Sequence, residues 1–150
     1  MITITINGLD QFVVGDLSRD LTPSLAKLYE VEEDDINFVA PASMVFHKGV
    51  EQTSWNIYIE VSAPLKVQVL EEEVARFLIE SIGDIAIHKT VIFRYYSQDN
   101  RYQVLNDDYP RYIDQDNEIK YDLDDQEEYE EGEESDQVYT GDVFENFNKN

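Results

Sequence analysis

Two rhythms of apolar and polar residues alternate along the chain, and each change of rhythm marks an element. Ile2, Ile4 and Ile6 alternate with Thr3 and Thr5, the period of a strand with one buried face. Asn7-Gly8 is a turn signal. Leu17, Leu21, Leu25 and Leu28 then recur at helical spacing, with Pro23 inside the stripe. An interior proline costs a helix about 3 kcal/mol, and Thr22-Pro23 also reads as an N-cap followed by a first-turn proline. The pattern predicts a helix over residues 12–29, bent or tightened near Pro23. An acidic loop, Glu32-Glu33-Asp34-Asp35, leads to a predicted strand over 36–46 that breaks around Pro41.

The second half opens at Trp55, with a run of β-branched and aromatic residues to Val61. Ser62-Ala63-Pro64 reads as a break. Val67, Leu70, Val74, Phe77, Leu78 and Ile82 recur three or four apart and predict a helix over 65–83. Glu71, Glu72 and Glu73 suit its first turns, and Gly83 its stop. A strand over 90–96 follows. Arg101 to Leu105 suggests a short edge strand, and residues 109–113 close the folded part. Strand, helix, strand thus occurs twice. The reading is an α+β domain over 1–113: duplicated βαβ units forming a four-stranded mixed sheet with two helices on one face.

Charge changes this picture at one end. Residues 1–113 carry 18 acids and 9 bases, a net −9, and residues 114–150 carry 15 acids and 2 bases, a net −13. The second segment has too few apolar residues and too much like charge to collapse, which predicts a disordered acidic tail. Residues 138–147 bring four large apolar side chains back and offer a segment for docking on a protein partner or a neighbouring subunit. A chain of net charge −22 repels phosphate backbones, so nucleic-acid binding is set aside. No apolar run approaches the roughly 18 residues of a membrane span, and the first residues carry no base, unlike a signal peptide. A cytoplasmic protein is expected.

Candidate chemistry is sparse. Without cysteine there are no thiolate nucleophiles and no Cys-ligated metals. His47 and His88 have no metal-ligand spacing, the tail acids lack the pattern of a calcium loop, and no glycine cluster cradles a phosphate. No metal or cofactor is expected. Glu60, mid-strand among apolar residues, is either a general acid or base, or an outward residue paired with Arg94. Of Tyr95 and Tyr96, an alternating strand turns only one to the core.

A duplicated βαβ of about 113 residues that begins with a strand at the very amino terminus resembles the tautomerase superfamily. That superfamily includes 4-oxalocrotonate tautomerase and macrophage migration inhibitory factor. The strand Ile57-Tyr58-Ile59-Glu60-Val61, the helix of Val67 and Ile82 and the strand Val91-Ile92-Phe93 resemble an uncharacterised bacterial family within it, a domain of unknown function. The resemblance implies a homo-oligomer, a trimer by precedent. It also implies an amino-terminal proline as general base and arginines that hold a substrate carboxylate. This chain has Ile2 where the proline belongs, and a bulky second residue leaves Met1 in place. Residues 7–15 and 36–46 contain no arginine, leaving Arg94 and Arg76, which argues against a carboxylate-bearing substrate. The expectation is a non-catalytic oligomeric or interaction module. The alternative is a small-molecule proton-transfer enzyme, with the Met1 amine or Glu60 as base and Arg94 or Tyr95 as polarising group.

Overall fold

A computed structural model describes residues 1–113. The predicted tail and its apolar segment at 138–147 lie outside the described residues. Residues Met1–Val104 form one unit, and a second begins at Leu105. In the described part of the second, the Arg111 guanidinium lies 5.2 Å over the Tyr112 ring, and Tyr109 N–H donates to the Asn106 carbonyl at 3.2 Å.

Strand β1 (Ile2–Asn7) realises the Ile/Thr alternation: Ile2, Ile4 and Ile6 are buried and the residues between are half-buried. The turn that leaves it needs Gly8. Its φ is +86°, and a Cβ there would meet the Asn56 carbonyl oxygen at 2.8 Å. Helix α1 (Gln11–Tyr29) starts on Asp10, whose carboxylate accepts from Phe12 N–H at 2.8 Å. It runs unbroken through Pro23. Leu17, Leu21, Leu25 and Tyr29 are buried along it, at about 1.5–3 kcal/mol per large apolar side chain, which outweighs the proline's cost.

A short 3₁₀ turn, Glu33–Asp35, delivers β2, which covers only Ile36–Val39. The expected strand to residue 46 is therefore corrected. Ala40 to Val45 leave the sheet, and Phe46–His47 (β3) pairs antiparallel with Val50–Glu51 (β4) in a separate hairpin. Proline at 41 cannot donate to a ladder, so pairing with β1 ends before it.

Strand β5 (Asn56–Pro64) runs straight through the expected break. Ser62 pairs with Thr3 on one side, and Ser62 to Pro64 pair with Arg94 to Tyr96 on the other. Two neighbouring strands override weak local propensity, and proline is tolerated as the last residue. The second helix is also later than its apolar pattern predicts. Leu65–Leu70 is a 3₁₀ segment, and helix α2 is Glu71–Ile82. With three residues per turn, Val67 and Leu70 fall on one side and Val69 points outward. Gly83 ends α2 at φ 50°, and the Lys89 ammonium donates to the Gly83 and Ala86 carbonyls at 2.7 Å each. Strand β6 (His88–Tyr96) completes the sheet, and the expected strand after Arg101 does not form.

The sheet order is β2-β1-β5-β6: parallel, antiparallel, parallel. This is the expected four-stranded mixed sheet of two βαβ units. Ile4, Ile59, Val61, Leu25, Val74 and Leu78 meet in one core between the sheet and the helices. The other face carries Thr3, Thr5, Tyr58, Glu60, Ser62, Ile92 and Arg94, and no helix among the described residues covers it.

Candidate functional site

A cleft of about 340 Å³ opens at the end of the sheet where the chain begins. Met1 lies just before β1, which contributes Thr3, while β5 contributes Ser62 and β6 contributes Tyr96. The opposite wall is the segment after β6. Its 3₁₀ turn, Gln98–Asn100, is closed by Asn100 N–H to the Ser97 carbonyl and by Arg101 N–H to the Gln98 carbonyl. That turn brings Asn100, Arg101 and Tyr102 onto the cleft.

Met1 is 37% exposed beside this opening, and both ends of its backbone are held. Its α-amino group lies 3.8 Å from an Asp35 carboxylate oxygen, and its carbonyl accepts the Tyr96 hydroxyl at 2.5 Å. Ile2 is 1% exposed, a core residue with its side chain turned from the cleft.

The structure does not gather the other sequence candidates here. Glu60 sits mid-strand on the uncovered sheet face, where Arg94 Nε donates to its Oε2 at 2.8 Å. Arg94 is the register partner of the cleft residue Ser62, yet its guanidinium goes to Glu60. Tyr95 faces the helices. Its hydroxyl donates to the Glu71 carboxylate at 2.9 Å, and burial, then that bond and charge, push its pKa up. Of this adjacent pair, the tyrosine at the cleft is Tyr96, one residue on. His47 and His88 are exposed, and the His88 ring meets Trp55 edge-on at 6.0 Å. Among the described residues no three His, Cys, Asp or Glu side chains could hold a metal ion together, and no helix is long and apolar enough to cross a membrane.

Arg101 is the cleft residue that sequence reasoning missed. It supplies a cation at the amino-terminal end of β1, where residues 7–15 and 36–46 supply none. A second cleft, of about 410 Å³, lies at the other end of β1 around Leu9, Gln11 and Met44. Three of its polar residues are already engaged. Asp10 caps α1, Ser43 Oγ donates to Asn7 Oδ1 at 2.8 Å, and Thr53 bonds Glu51.

No protein-family model matches the sequence, and no curated protein matches it. Solved structures do. A domain of unknown function (DUF1904) from Sebaldella termitidis matches with TM-score 0.62 and 21% identity, over 69% of this chain and 95% of that one. A macrophage migration inhibitory factor-like protein from Entamoeba histolytica matches with TM-score 0.52 and 11% identity, over 68% and 93%. The fold is that of the tautomerase superfamily. N1, a member of the cis-3-chloroacrylic acid dehalogenase family, matches with TM-score 0.52 and 10% identity, over 67% and 79%. At these identities the likeness carries the tautomerase fold and leaves the chemistry to the residues of this chain.

Proposed function

We propose that this chain is a tautomerase-fold module that does not run proline chemistry and works as a homo-oligomer, a trimer by superfamily precedent. The observation that carries the reading is the state of Met1. Its amine faces the Asp35 carboxylate, and the residue after it is a buried isoleucine. Assembly draws support from the sheet. Strand β6 is nine residues long and, among the described residues, pairs only with β5, which leaves its outer edge for another strand. The face of Tyr58, Glu60 and Ile92 is also uncovered among the described residues.

A second reading, a proton-transfer enzyme on a small molecule, draws support from the open cleft beside Met1. One experiment separates the two. Intact mass and a phenylpyruvate tautomerisation assay on the wild-type chain, with light scattering on the same sample, should find Met1 retained, no turnover and an oligomer. A monomer removes the assembly reading. Turnover by a chain with Met1 in place supports the enzyme.

A further inference from the structure

The cleft at the far end of β1 is built from three segments that are fastened to one another. Buried Leu9 and the first residues of α1, Asp10 and Gln11, form one wall. Ala42, Ser43 and Met44, from the stretch that leaves the sheet, form a second, and Thr53 forms a third. Ser43 Oγ donates to Asn7 Oδ1 at 2.8 Å, Gln52 N–H to the Val45 carbonyl at 2.8 Å, and Ser54 N–H to the Gly8 carbonyl at 2.9 Å. The walls are thus set before any ligand arrives, which lowers the ordering cost of binding. At about 410 Å³ the cleft falls among small-molecule sites, which run from roughly 300 to 1,000 Å³.

The hydrogen bonds already made there are one-sided. The Ser43 hydroxyl spends its proton on Asn7, and the Thr53 hydroxyl and N–H both donate to the Glu51 carboxylate. Asp10 accepts from Phe12 N–H through Oδ1. What these residues still offer is acceptors: the second oxygen of Asp10 and the hydroxyl lone pairs of Ser43 and Thr53. Gln11 can turn either end of its amide inward. Charge has the same bias. Asp16, Asp20, Glu60 and Glu72 each hold an arginine, whereas Asp10 and Glu51 are in no ion pair among the described residues. No Lys, Arg or His among the described residues lines the cleft, and Glu51 stands one hydrogen bond behind Thr53. The amino-terminal dipole of α1 opposes a cation, but it amounts to about half a charge against the full charge of Asp10.

We propose that this cleft binds a small organic ammonium ion, a protonated amine on an apolar body. An ammonium carries three N–H donors and no acceptor, the complement of a site whose own hydroxyl protons are spent. Its charge meets Asp10 directly and Glu51 through Thr53. Its body lies on Leu9, Ala42 and Met44, and the Met44 thioether adapts to the shape presented. An anion would meet the carboxylates with no cation to offset them, and a neutral alcohol forgoes the charge. The site lies at the opposite end of β1 from Met1. It goes beyond the assembly and proton-transfer readings above, and neither depends on it.

The test is an NMR titration of the full chain at neutral pH with benzylamine, and with benzyl alcohol and benzoate as its neutral and anionic counterparts. Benzylamine should shift the amides of Leu9, Gln11, Ser43 and Thr53 to saturation, more weakly as salt rises. The chain has two methionines, which makes the methyl signals a second readout: Met44 should shift, and Met1 should not. Benzyl alcohol should bind at least about fivefold more weakly, and benzoate should leave these signals in place. Asn caps a helix as well as Asp, so Asp10→Asn keeps α1 and removes the charge; it should weaken benzylamine at least about fivefold. Shifts that spread over the acidic surface without saturating mean counterion attraction only, and overturn the proposal. It is equally overturned if benzyl alcohol binds as tightly as benzylamine, if benzoate shifts the same residues, if the shifts centre elsewhere, if salt has no effect, or if Asp10→Asn binds like wild type.

Discussion

Tyr96 and Met1 stand 95 residues apart in sequence, and the Tyr96 hydroxyl donates to the Met1 carbonyl at 2.5 Å. Tyr96 ends β6 and Met1 precedes β1, so the bond reaches past β5, which lies between them in the sheet. It ties the start of the chain to one wall of the cleft. Tyr96→Phe keeps the ring and removes the tie. We expect a loss of about 1 kcal/mol in urea unfolding, with faster amide exchange in the first residues of β1. Unchanged exchange there would show that the bond holds nothing in place.

The Glu60–Arg94 pair bears on whether mid-strand Glu60 is chemistry or packing. Arg94 is largely exposed and Glu60 about one third exposed, so solvent screens their attraction. A double-mutant cycle with Glu60→Gln and Arg94→Met should give a coupling of at most about 1 kcal/mol, shrinking as salt is added. A coupling several times larger and insensitive to salt would mark Glu60 as a buried functional charge.

Strand patterns made most of the fold legible. Alternation in β1 and the apolar run of β5 place the central strands, and helical spacing finds α1 to within a residue and α2 with its start placed too early, in the 3₁₀ segment Leu65–Leu70. Errors fall where partners decide. Ser62 to Pro64 look like a break until β1 and β6 lie on either side. Residues 40–45 look like strand until Pro41 ends the ladder. The site was less legible still. Alternation says that one of Tyr95 and Tyr96 faces the core, without saying which, and Tyr96 is the one at the cleft. Arg101 carried a faint signal. Arg19 and Arg76 have acids three or four residues away, whereas the corresponding neighbours of Arg101 are Ser97, Gln98, Val104 and Leu105. That signal meant nothing until the 3₁₀ turn after β6 brought Arg101 back to Met1.

Lys89 is a cation on the core-facing side of β6, and it is there for the end of α2. Its ammonium donates to the Gly83 and Ala86 carbonyls, which the helix and its following turn leave open. Lys89→Met retains the aliphatic stem and removes the donors. Thermal unfolding should report a loss of about 1–3 kcal/mol, since hydrogen bonds from a charged donor are worth more than neutral ones. A variant as stable as wild type would mean that water serves these carbonyls equally well.

Core truncation should separate the two faces of each element. Ile59 and Leu78 are both 0% exposed, one at the centre of the sheet and one on α2. Ile59→Ala and Leu78→Ala should each cost about 2–5 kcal/mol in urea unfolding, through lost burial and the cavity left behind. Val69→Ala lies in the 3₁₀ segment before α2 with its side chain in water, and should stay within about 0.5 kcal/mol. A large loss at Val69 would place a partner or a second copy on that segment.

Alkaline pH should act through Tyr29. It is a buried tyrosine at the end of α1, and burial pushes its pKa up to about 12. In the unfolded chain the same phenol ionises near 10. Between those values the folded state keeps a proton that the unfolded state releases, so stability falls as pH rises. The contribution is whole below about pH 10 and gone above about pH 12, an amount of about 3 kcal/mol for one such group. Tyr95 is pushed up as well, by burial first and then by Glu71, so it adds to the same decline. Urea unfolding of wild type and Tyr29→Phe across pH 8 to 12 reads the difference in slope. We expect Tyr29→Phe to flatten the decline in part and Tyr29→Phe with Tyr95→Phe to flatten it further. Parallel slopes in all three proteins would mean that both phenols titrate alike in the folded and unfolded chains, and that water reaches the end of α1.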